Sequence, residues 1–154
     1  MQLSEVFLGL GQDNFQELLR SISLGKLKTY QLYERLKIRF RLPKLNSESL
    51  RKAAPRFWTR LEEKDTEFAT ELAQAILVSH LDLIVNVLNL LGIPHEDGFF
   101  AKDLDATQYL TEGWQNRVYE HFQSTYPPAL LLFYINNLSV EFGKSEQVFL
   151  PQPV

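Results

Sequence analysis

The chain has 154 residues, 45% of them hydrophobic and 23% charged, which fits one globular domain of ordinary composition and excludes disordered and fibrous classes. It has no cysteine, so disulfides, thiolate nucleophiles and cysteine-held zinc or iron–sulfur sites are excluded. The net charge of −3 is unevenly spread: residues 26–60 hold eleven Lys or Arg against Glu34 and Glu48, a balance of +9, and the remainder carries −12.

Leu3 to Leu10 reads as a first helix, ended by Gly9 and Gly11. The start Met1-Gln2-Leu3-Ser4-Glu5 lacks the basic, then apolar pattern of a signal peptide, so a cytoplasmic location is the expectation. Asp13 or Asn14 can cap a second helix running to about Ser23, and Gly25 breaks it. Thr29 can cap a third, with Leu32, Leu36 and Phe40 on one side. The same stretch, Leu36-Lys37-Ile38-Arg39-Phe40-Arg41-Leu42, alternates apolar and basic residues, so a short strand at 36–42 competes with the helix.

Pro43 ends that element, and Asn46 or Ser47 can cap the next. Over Ser47 to Lys64, Leu50, Ala53, Ala54, Phe57 and Leu61 share one face, and Lys52, Arg56, Arg60 and Lys64 run along another. Pro55 lacks an N–H and crowds the preceding turn, which predicts a kink or break near Ala54. Thr66 to Leu91 has the strongest helical pattern, with Gly92 and Pro94 as stops and with Glu67, Thr70, Glu71, Gln74, Asp82, Asn86 and Asn89 on one stripe. Its polar groups argue against a membrane span and for a core helix.

His95 to Lys102 reads as a loop, and Asp103 or Asp105 can cap a helix reaching about Tyr126, weakened by Gly113. Pro128 suits the first turn of a last helix through Leu138, apolar nearly all round. Residues 139–154 are apolar but broken by proline, and read as an extended C-terminal tail lying across a groove of its own chain or of another. The expected architecture is an all-α, compact single-domain helical bundle of about five to seven helices over residues 1–154.

Chemical motifs fare poorly. His80 and Asp82, two apart on a helix, point about 200° apart and cannot face one site, so His80 reads as a hydrogen-bonded core histidine. His95, Glu96, Asp97, Asp103 and Asp105 match neither zinc-protease nor calcium-loop spacing and read as an acidic loop before a helix cap. His121 lies on the face of Leu110, Trp114 and Val118, at the rim of the core. Gly143-Lys144-Ser145 lacks the upstream glycine of a phosphate-binding loop, and Asn137-Leu138-Ser139 is a glycosylation acceptor only in form. No catalytic set, metal site or cofactor is predicted.

The surviving constellation is basic: Arg35, Lys37, Arg39, Arg41, Lys52, Arg56 and Arg60. The preferred reading is a helical interaction module that acts through protein–protein contact or self-association, its basic segment meeting an acidic surface. The alternative is a nucleic-acid-associated regulator in which 29–42 and 47–60 imitate a helix-turn-helix. A third reading is an enzyme or ligand-binding bundle with a pocket near His80.

Overall fold

A computed structural model of the chain describes residues 1–23, 25–26, 47–99, 103–142 and 146–151, with side chains from residue 52 onward in the third stretch. The fold is all-α, with seven α-helices and no strand among the described residues. Residues 36–42, over which helix and strand competed, lie outside them. The described chain divides at His80 into two compact units, Gln2–Ser79 and His80–Val154.

In the first unit, α1 (Leu3–Leu10) buries Val6, Phe7 and Leu10, and α2 (Gln12–Arg20) buries Phe15, Leu18 and Leu19. The second helix starts earlier than its expected Asp13 or Asn14 cap. Asn14 instead turns its amide back to donate a 2.7 Å hydrogen bond to the Leu10 carbonyl, satisfying the end of α1. Helix α3 (Ser47–Glu62) packs against α1 and α2 through Ala53, Ala54, Phe57 and Leu61. Of the expected kink or break near Ala54, the break is not found: the helix is continuous through Pro55. Pro55 is exposed, so its ring stands toward solvent, and the burial of Ala53, Ala54 and Phe57 beside it holds the helix in register.

The turn after α3 is a Schellman motif: the Asp65 N–H reaches the Arg60 carbonyl and the Lys64 N–H reaches Leu61, with Lys64 at φ 59° where glycine is usual. The helix therefore ends two residues short of the expected Lys64. Helix α4 (Thr66–Ser79) buries Phe68, Ala69, Leu72, Ala73, Ala75 and Ile76 and packs on α1 and α3.

The long helix expected over Thr66 to Leu91 is broken at His80, whose backbone sits at φ −134° and ψ 48°. Ser79 is the local cause visible in the bonding. Its hydroxyl donates back to the Ala75 carbonyl and accepts the Ser23 N–H, both at 2.8 Å, tying the last turn of α4 to the end of α2.

In the second unit, α5 (Leu81–Leu91) exposes Asp82, Asn86 and Asn89 and buries Leu83, Ile84, Val87, Leu88 and Leu91 before stopping at Gly92. The helix expected from Asp103 or Asp105 to Tyr126 is shorter. Asp105 caps only a 3₁₀ turn, Thr107–Tyr109, through the Thr107 N–H and hydroxyl. Gly113 then adopts φ 79°, and α6 (Trp114–Phe122) begins after it. A left-handed residue cannot continue a helix, so the glycine that merely weakened the pattern in sequence divides it in structure. Helix α7 (Pro128–Phe142) extends beyond the expected Leu138 and buries every residue from Ala129 to Ser139. A helix apolar on all sides is covered on all sides.

Candidate functional site

The basic constellation divides into three groups. Arg35, Lys37, Arg39 and Arg41 lie outside the described residues. Lys52 and Arg56, one turn apart on α3, are exposed on the same side. Arg60, the next along that row, is drawn into the fold. Its Nη2 and Nε lie 2.7 and 3.2 Å from the Asp65 carboxylate, and its guanidinium carbon sits 4.1 Å from the centre of the Phe68 ring. The other Asp65 oxygen accepts the Phe68 N–H at 3.0 Å and caps the start of α4. Arg60 is therefore a clamp between two helix ends.

Beside the exposed part of α3 lies an open cleft of about 270 Å³, lined by Gln12, Phe15 and Gln16 of α2 and by Ala54, Pro55, Trp58 and Thr59 of α3. The Phe15 ring, almost fully buried, forms its floor. It meets Trp58 at 5.3 Å between ring centres and Phe7 edge-on at 5.8 Å. Trp58 is half-buried, tilted against Phe15 and lining the cleft. At 100° per residue, Trp58 and Pro55 occupy one flank of α3, and Thr59, Lys52 and Arg56 continue round its solvent face. A mixed cleft with an aromatic floor and two exposed cations are thus neighbours on α3. Glu62 and Glu63 are exposed at its far end.

The histidines do not form a site. His80 is half-buried between α4 and α5 rather than within a helix, and His121 is exposed, with its ring against Phe122 at 4.6 Å. His95 has a structural task. Its Nδ1 accepts the Gly98 N–H at 3.0 Å, and its Nε2 lies 2.7 Å from Asn89 Oδ1, which makes Nε2 the protonated nitrogen. It thereby fastens a tight turn, Glu96 to Phe99, to α5. Both central residues of that turn, Asp97 and Gly98, have positive φ, and Glu96 and Phe99 exchange both backbone bonds. This is the two-residue hairpin geometry that an Asp-Gly pair favours. Among the described residues no three His, Asp or Glu side chains converge as a metal site.

Asn137 is buried within α7, which removes the formal glycosylation reading. No single described helix is long and apolar enough to cross a membrane, although α4 and α5 would pass on length and composition if joined.

Two polar sites that sequence reading did not single out lie in the second unit. Tyr126 accepts from the Asn86 amide at 2.7 Å and donates to Asp82 at 3.2 Å, joining the chain after α6 to the polar side of α5. Burial raises the Tyr126 phenol above its ordinary pKa, the Asn86 bond opposes that shift, and the Asp82 charge adds to it. Asn136, wholly buried in α7, holds the main chain of Phe149 through both its N–H and its carbonyl. Their sequence signals were a polar residue inside an apolar helix and a polar stripe facing a tyrosine, each of which needs a partner.

No family model, curated protein or solved structure matches this chain.

Proposed function

We propose that the Gln2–Ser79 unit is a protein-interaction module whose cleft between α2 and α3 receives an apolar side chain from an acidic segment of another protein. The observation that carries this reading is the half-buried Trp58, open to the cleft and backed by Phe15, with exposed Lys52 and Arg56 continuing round the same helix. Aromatic anchors in recesses bordered by charge are the usual energetic centres of protein interfaces. The cations select the sign of the partner and speed its approach, and the recess supplies the contact.

The test follows the indole N–H resonance of Trp58, assigned with a Trp58→Phe variant. Three probes are titrated: a short peptide with one leucine among glutamates, its lysine counterpart, and a generic DNA duplex. The acidic peptide should move the resonance saturably, the effect should weaken with salt, and the Lys52→Glu/Arg56→Glu variant should lose it. An unmoved resonance at millimolar peptide, or an equal response to the lysine peptide, overturns the reading. Preferential response to DNA replaces it with the nucleic-acid alternative.

A further inference from the structure

Asn136 is 0% exposed, in the middle of a largely apolar buried helix. A buried amide there is costly unless its donors and acceptor are met. One Nδ2 hydrogen goes to the Leu132 carbonyl of its own helix at 2.8 Å. The rest of the group faces a single residue of the C-terminal segment: Nδ2 donates to the Phe149 carbonyl at 3.1 Å, and Oδ1 accepts the Phe149 N–H at 2.7 Å. Asn136 therefore pairs with Phe149 as one strand pairs with another, reading extended backbone rather than side-chain identity.

What the amide holds is loosely covered. Val148 and Phe149 are half-buried, Glu146 and Gln147 are exposed, and Leu150 retains 51% of its surface. Segments that leave much of their surface exposed open at a small fraction of the global cost. The receptor end is built to a different standard, because α7 is the most thoroughly buried element described. A rigid buried clamp and a thinly held strap form the two halves of a peptide-binding site, filled here by the chain's own tail.

We infer that Asn136 is a peptide-backbone clamp and that the site over α7 takes the C-terminal segment of a second copy of this chain in exchange for its own. The occupant is argued from the fit. The sequence seen in the clamp is Glu146-Gln147-Val148-Phe149-Leu150-Pro151, and a second copy carries the same segment with the same complementarity. Exchange of identical segments forms no contact that the single chain lacks, which is why it is a low-cost route to dimers. The half-exposed Leu150 adds apolar surface that an interface between copies would cover.

The experiment uses the full chain with Phe149→Pro. Proline has no N–H, so the tail loses its bond to Oδ1 while Asn136 is untouched. A fluorescent synthetic peptide of residues 146–154 is titrated and followed by anisotropy. It should bind this variant saturably and at least about tenfold more tightly than the wild-type chain, whose own tail competes. A peptide N-methylated at Phe149 should bind at least about tenfold more weakly, one charge-free hydrogen bond to a buried group being of that order. Absence of saturable binding, or equal binding of the methylated peptide, overturns the clamp. If the variant loses helical circular dichroism, hydrogen exchange on the wild type decides. A Phe149 amide exchanging well ahead of the α7 amides supports a displaceable tail, and exchange only by global unfolding overturns it. Sedimentation of the wild type should show mass rising toward the dimer with concentration, and a monomer throughout the soluble range overturns exchange between copies.

Discussion

Replacing Asp65 with alanine removes two interactions that the sequence pattern did not announce. One carboxylate oxygen caps α4 through the Phe68 N–H, and the other receives the Arg60 guanidinium. Loss of a helix N-cap costs about 1 kcal/mol. The Arg60 pair, with side chains 24% and 32% exposed, is less hydrated than a surface pair, and its loss costs up to about 1 kcal/mol more. Asp65→Ala should therefore lower unfolding stability by about 2 kcal/mol. Asp65→Asn keeps a capping oxygen and loses the charge, so it should cost about half as much. Arg60→Met removes both the ion pair and the guanidinium contact with Phe68 and should cost about 1 kcal/mol. Urea unfolding at neutral pH followed by circular dichroism measures all three, and the double variant gives the coupling. If Asp65→Asn costs as much as Asp65→Ala, the cap is not the source. Coupling near zero would show that the Arg60 contact contributes nothing to stability.

Gly98→Ala should cost at least about 1–2 kcal/mol, because φ is +92° and a Cβ would stand 3.2 Å from Ile84 Cγ2; equal urea midpoints would refute this. Partial desolvation of the carboxyl raises Glu141 above its ordinary pKa although the residue as a whole is exposed, so the unfolded state ionises first as pH rises and the wild type loses stability across that window. Glu141→Gln should accordingly match the wild type below the ordinary carboxylate value of about 4.3 and exceed it near neutrality, and a gain that persists unchanged in acid would refute the cause. Burial, assisted by the Glu141 charge, pushes the Tyr134 phenol far above its ordinary range, so wild-type stability should fall once pH passes about 10 and Tyr134→Phe should remove that component. Parallel alkaline unfolding curves for the two chains would count against it.

The helical class, the start of α1, the stop at Gly92 and the polar stripe of α5 were legible because each rests on local periodicity or a terminator. The errors have a common origin in competition between local signals and packing. Pro55 predicted a kink or a break, and the break does not occur: the residue is exposed and the buried residues beside it keep α3 continuous. Nothing local forbade a helix through His80, and the break coincides with a hydroxyl whose partner, the Ser23 N–H, lies fifty-six residues away. Gly113 did carry its signal, although its left-handed backbone and not its low helix propensity is what divides the helix. The cleft was invisible because Phe15 and Trp58 are distant in sequence and ordinary as residue types.

Charge segregation along the sequence remains the feature from which a partner is argued, and the structure narrows what it can mean. Of the three basic side chains described on α3's row, Arg60 is consumed by the acidic part of the chain through Asp65, where it strengthens the α3–α4 turn. A row of cations spaced for an extended polyanion would be expected to leave successive members equally available, because each neutralised phosphate contributes independently. Here Arg60 is engaged by Asp65, and the exposed Lys52 and Arg56 lie next to a cleft with an aromatic floor in which a phosphate backbone has no use. A recess for one apolar side chain bordered by two cations suits a polypeptide carrying carboxylates beside a hydrophobic residue. On the proposed reading, the described part of the basic segment meets an acidic protein rather than a nucleic acid.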